Sequence, residues 1–133
     1  MQNPQHLGIV LLRVTIALTL VIHGVTRIRL GGVAGFGSFL VENHVPLGTT
    51  VAWVLTLVEI GGGAVLALGY GVIWLCAWFA GQLAVGIALV HFKEGWFVVG
   101  AGRNGMEYSV VLIAGLVSIA LTHWPRYFSN AKN

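Results

Sequence analysis

Charge is scarce in this chain. Only 8% of its 133 residues are charged, against about 25% in an ordinary soluble domain. A globule with so little polar surface cannot cover itself in water, so the solvent must be lipid. Cysteine is scarcer still. The single Cys76 excludes an intrachain disulfide, a CxxC redox pair and a zinc ribbon. It lies in an apolar run and reads as a packing residue. There is no nucleophile elbow, P-loop or dinucleotide fingerprint. Gly61-Gly62-Gly63 imitates a phosphate loop but falls inside an apolar run. Low-complexity segments and clear internal repeats are also absent. The net charge of +3 does not point to nucleic acid, because basic loops on a membrane protein mark topology.

Apolar residues fill the space. They make up 57% of the chain, and the mean hydropathy is +0.89. They form four continuous runs, at 7–22, 51–68, 72–90 and 110–121. Continuous rather than alternating runs exclude a β-barrel. A span needs about 20 residues, and flanking residues extend the runs to spans at 7–28, 49–68, 71–91 and 106–124. The fold class expected is all-α, a transmembrane four-helix up-down bundle in a single domain, 1–133. Both termini lie on one side and both long loops on the other. The first run lacks a basic segment before Leu7 and a cleavage site after it, and reads as a retained signal anchor. Leu68-Gly69-Tyr70-Gly71 predicts a tight turn. The 31–46 loop predicts a short interfacial helix around Phe36–Val41. The second long loop, 92–105, carries Trp96, Phe97 and Arg103. The positive-inside rule places the long loops in the cytoplasm if Arg27, Arg29, Lys93 and Arg103 are free charges. Several of these are also candidate site residues, so orientation stays open.

The ionisable residues inside the runs carry the functional argument. A carboxylate at the centre of a span costs about 2.5–3.5 kcal/mol on insertion scales unless it is paired or hydrated. Glu59 is such a group, and Arg13 is the other charge deep in a span. Counted along the helices, Arg13 lies about 9 Å in from the terminal side and Glu59 about 12 Å in from the other. In a core roughly 30 Å thick they differ in height by about 9 Å, which long side chains can largely close. An Arg13–Glu59 buried pair is the expectation, with Gln82 near it. Such a pair can simply lock the helices together, or Glu59 can serve as a proton or substrate group.

A second constellation gathers at the long-loop face. His23 and Arg27 end the first span, His91 and Lys93 the third, and Glu107 and Tyr108 open the fourth. Glu107 at a helix N-terminus is also favoured by the helix dipole. Trp96 and Phe97 lie in the adjoining loop. Histidine is suited to proton exchange near neutral pH, so His23, Arg27, His91, Glu107, Tyr108 and Trp96 form the candidate headgroup and proton site. Two histidines on separate helices meet the crude requirement for haem, and His23, His91 and Glu107 resemble a two-His, one-carboxylate set. Their spacing is diagnostic of neither, and neither haem nor metal is expected.

Three stretches resemble the DoxX-like family of small bacterial four-helix membrane proteins. They are Leu12-Arg13 with His23-Gly24 and Arg27-Ile28; Val58-Glu59-Ile60-Gly61-Gly62-Gly63 to Leu68-Gly69; and His91-Phe92, Gly95-Trp96-Phe97 and Gly105-Met106-Glu107-Tyr108. The tail from Thr122 to Tyr127 departs from the Gly-Pro-Gly pattern of that family. The resemblance implies a four-helix bundle in the bacterial inner membrane. Founding relatives are subunits of thiosulfate:quinone or terminal quinol oxidoreductases, which implies redox chemistry at the quinone pool. The expected function is therefore a membrane subunit that binds quinone or quinol at the long-loop face. It would work with a membrane or peripheral oxidoreductase partner, or as a homo-oligomer, surrounded by membrane lipid. With no flavin, iron–sulfur or haem motif, the chain is expected to be an oxidoreductase subunit rather than a complete enzyme. The competing reading is a non-enzymatic bundle that binds lipid or organises a complex. A small transporter coupled through Glu59 is a third. In the quinone reading Glu59 becomes a buried anchor and proton reserve beneath the headgroup site.

Overall fold

The computed structural model describes residues 4–130, with side chains described to residue 124. Every regular element among these residues is a helix. α1 spans Pro4–Arg29, α2 Gly32–Glu42, α3 Gly48–Leu68, α4 Val72–Glu94 and α5 Glu107–Asn130. α1, α3, α4 and the Glu107–Trp124 part of α5 are each long and apolar enough to cross a membrane. The expected all-α class with four spans is therefore found. In hydrocarbon no water serves the backbone, so an unbroken apolar run must satisfy its own N–H and C=O groups as a helix. The short apolar α2 occupies the first long loop, where a short helix was expected.

The helices stop where glycine lets them. Gly69 (φ 89°) ends α3 in a left-handed turn. Its N–H donates to Leu66 O, and that of Tyr70 to Val65 O, which satisfies two carbonyls the helix would otherwise leave open. Gly71 (φ 58°) then resets the chain for α4. The entry to α3 is less comfortable, because Leu47 holds φ 55°. For a leucine this costs roughly 1–2 kcal/mol. The turn seats Gly48 against α2, where a Cβ would overlap Gly37 O and lie 2.7 Å from Val41 Cγ2.

The chain packs as two compact units. The first comprises Ala17–Tyr70, and α2 packs along α3 within it. Val33, Leu40 and Ala52 form its buried cluster, with Phe36, Phe39, Val45 and Val51 packed against them. The second comprises Met1–Ile16 and Gly71–Asn133, and there α4 packs along α5. Val72, Cys76 and Phe79 are buried on α4, and Leu116 and Ile119 on α5. Their spacings of three and four residues place each set on one helix face. Cys76 is thus a core residue.

Candidate functional site

Each unit holds a polar cluster among the described residues. In the Ala17–Tyr70 unit the cluster begins at Gly24, which is buried against α3. A Cβ there would lie 2.8 Å from Ile60 Cγ1, 3.0 Å from Thr56 O and 3.2 Å from Glu59 Cβ. Only glycine allows this approach, and it brings Glu59 within reach of the last turn of α1. Arg27, three residues on, closes the gap. Its Nη1 donates to Glu59 Oε2 at 2.8 Å and its Nη2 to Oε1 at 3.3 Å. The guanidinium therefore grips the carboxylate with both ends of its fork. Nη1 also donates to Thr56 Oγ1 at 2.8 Å, and the Thr56 hydroxyl donates to Ala52 O at 2.7 Å. The Phe36 ring of α2 lies 4.6 Å from the guanidinium carbon, in cation–π range. The side chains of Arg27 and Glu59 are only 13% and 4% exposed.

Arg27, expected at the long-loop headgroup site, is therefore an ion-pair partner of Glu59, and the close helix contact at Gly24 lets it reach. Arg13 falls in the other unit, half-buried, where its charge acts on Cys76. Half-buried Gln82 belongs to that unit as well. His23 is exposed and takes no part in the Arg27 cluster.

The second cluster lies between α4 and α5. Residues Ile87–His91 of α4 form a π turn, closed by the Phe92 N–H on Ile87 O. A π turn inserts an extra residue and re-aims the side chains after it. His91 ends this turn, and its Nδ1 lies 2.7 Å from Asn104 O. A carbonyl only accepts, so Nδ1 carries the proton and donates. In the neutral ring Nε2 is then left as the acceptor. Asn104 holds a left-handed φ of 62°, which asparagine tolerates. Glu107 Oε1 accepts from the Val98 N–H at 3.0 Å, so the first carboxylate of α5 reaches back to the loop. The backbone N–H groups of Gly105, Met106 and Glu107 donate to Phe97 O, Gly95 O and Trp96 O at 3.0–3.1 Å. Gly105 is buried beneath this knot, and a Cβ would lie 2.5 Å from Trp96 O and Phe97 O. Trp96, Phe97 and Tyr108 project outward, 48%, 47% and 60% exposed.

His91, Trp96, Glu107 and Tyr108 therefore share one unit, on the loop and the helix ends it joins, while Arg27 and His23 lie in the other unit. Sequence reasoning gave no site role to Thr56, Phe36 or Asn104, and it quoted Gly24 only within the family resemblance. Thr56 was within reach, since it lies three residues before Glu59 and on the same helix face. Asn104-Gly105 is a recognised turn pair. Phe36 left no signal, because α2 had no fixed place before folding. The set can anchor a polar headgroup and exchange a proton at His91. Among the described residues no group of three histidine, cysteine or acidic side chains is placed to hold a metal ion.

No curated protein and no solved structure matches this chain. The DoxX family model does, over residues 8–92. The matched stretch contains Arg13, His23, Arg27, Glu59 and His91 and stops short of Trp96, Glu107 and Tyr108. It includes both members of the buried ion pair and covers well over half of the sequence, so the chain belongs to the DoxX family.

Proposed function

We propose that this integral membrane protein is a subunit of a redox system in the bacterial inner membrane, binding a quinone or quinol beside the 95–106 loop. The observation that carries the reading is the fixed tautomer of His91. With Nδ1 donating to Asn104 O at 2.7 Å, Nε2 presents a lone pair. That is the group a quinol hydroxyl needs when oxidation releases its protons. Glu107 stands at the start of the next helix, and Trp96, Phe97 and Tyr108 offer exposed rings for a flat headgroup. The apolar flanks of α4 and α5 suit an isoprenoid tail. The electrons pass to a partner oxidoreductase, since the chain carries no recognised redox-cofactor motif of its own.

A second reading is supported by a specific observation. Glu107 ties down the Val98 N–H, and His91 ties down Asn104, so both also hold the loop in shape. A non-enzymatic bundle that binds lipid or organises a complex needs nothing more.

Paired variants separate the two. His91→Asn keeps a side-chain N–H for Asn104 O and removes the Nε2 acceptor. His91→Ala removes both. The protein, purified from its native membranes with partner subunits retained, is assayed for bound quinone and for quinol-dependent electron transfer. The quinone reading expects bound quinone in wild type. It also expects a fall in electron transfer of about a hundredfold in His91→Asn, the low end of general-base contributions, with the loop intact. Absence of quinone, or full turnover in both variants, refutes it and leaves the structural bundle.

A further inference from the structure

The 95–106 loop has a property that quinone binding does not require. The loop and the helix ends that flank it turn apolar and aromatic side chains outward: Phe92 is 68% exposed, Trp96 48%, Phe97 47%, Val99 68% and Tyr108 60%. Two exposed cations face one exposed carboxylate there. Lys93 and Arg103 stand against the exposed Glu94, since Glu107 turns its carboxylate inward to the Val98 N–H. The loop's two ends are tied together by the Gly105, Met106 and Glu107 N–H groups, which donate to Phe97 O, Gly95 O and Trp96 O, so these groups need no water at the membrane boundary. It also joins two helices long enough to span, α4 and α5, which holds it at the surface of one leaflet.

We infer that the 95–106 loop is a lipid-binding rim, with Trp96, Phe97 and Val99 at the headgroup–acyl boundary and Lys93 and Arg103 on the phosphates of anionic phospholipid. Tryptophan and tyrosine favour that depth because one end of the ring is apolar and the other polar. Juxtamembrane cations draw anionic lipid to the same place. The charge complementarity selects lipid over a basic protein surface. The inference does not depend on whether a quinone binds.

The test uses the full chain in phosphatidylcholine vesicles with and without phosphatidylglycerol, the acyl chains of one lipid at a time carrying bromine. The chain has five tryptophans, so the signal of Trp96 is taken as the difference between wild type and Trp96→Phe. The expected result is that this signal is quenched by shallow bromines and shielded from aqueous acrylamide. Brominated phosphatidylglycerol should quench it more strongly than brominated phosphatidylcholine. Lys93→Gln with Arg103→Gln should abolish that preference and leave the depth unchanged. Quenching by acrylamide alone overturns the inference, since the loop then stands in water. A signal that neither quencher reaches also overturns it and assigns the loop to a protein contact. Equal quenching by the two lipids in wild type also overturns it, since the rim then shows no preference for anionic phospholipid.

Discussion

The Arg27–Glu59 bridge sets a measurable scale for the first cluster. Consider Glu59→Gln, Arg27→Gln and the two together. Breaking a buried pair from one side costs about 3–5 kcal/mol, because the remaining charge loses its compensation. Here the lower end applies to Glu59→Gln. Arg27 retains Thr56 Oγ1 at 2.8 Å and the Phe36 face at 4.6 Å, and its side chain keeps 13% exposure at the end of α1. Arg27→Gln deprives Glu59 of bonds to both carboxylate oxygens at 4% exposure, and should cost at least as much. If the sites were independent, the double variant would lose about 6 kcal/mol, twice the lower bound for one side. Removing both charges together leaves neither member of this pair unmatched by the other, so a loss of about 3 kcal/mol or less is expected, a coupling of about 3 kcal/mol or more. Reversible unfolding in mixed micelles, followed by helix content as denaturing detergent is added, gives all four free energies. Additivity within about 0.5 kcal/mol would refute the argument, since it would mean the two charges do not share one desolvated environment.

Three further perturbations test the contacts around the clusters. Gly24→Val places a branched side chain where a Cβ already meets Ile60 at 2.8 Å; overpacking should cost about 1–3 kcal/mol in the same unfolding assay. Gly105→Ala forces a Cβ to within 2.5 Å of two loop carbonyls, and limited proteolysis should then cut the 95–106 loop faster than in wild type. Glu107→Ala removes the charged acceptor from Val98 N–H, a bond of about 1.5–3 kcal/mol. Hydrogen exchange at that amide should accelerate about tenfold or more, whereas Glu107→Gln, which keeps an acceptor oxygen, should change it less.

The spans were legible because lipid imposes one rule on every residue of a run: the backbone must close on itself. Runs of apolar residues about 20 long can obey it only as helices. The Leu68–Gly71 turn was legible for a similar reason, since glycine alone takes left-handed φ without cost. The Arg27–Glu59 bridge was not legible. Height along the helix axes admits several cations, and rotation about those axes selects among them. Rotation depends on which faces pack, and here it depends on one missing Cβ at Gly24. The π turn before His91 escaped notice for a different reason. An inserted residue shifts a periodic pattern, but Ile87-Ala88-Leu89-Val90 is apolar on every side and has no pattern to shift.

The bonding of the carboxylates also bears on proton exchange in the proposed function. The chain has four acidic residues, and Glu59 and Glu107 are the two engaged by side-chain bonds described above. They are bound in different ways. Glu59 accepts from a guanidinium on both oxygens. Glu107 accepts from a neutral backbone N–H through Oε1, and a carboxyl group protonated on Oε2 keeps that bond. His91 likewise keeps its bond to Asn104 when Nε2 gains a proton, because Nδ1 remains the donor in both states. In the proposed function, both groups beside the loop between α4 and α5 can therefore take part in proton exchange without breaking the bonds that hold it, while the Arg27–Glu59 pair joins α1 to α3.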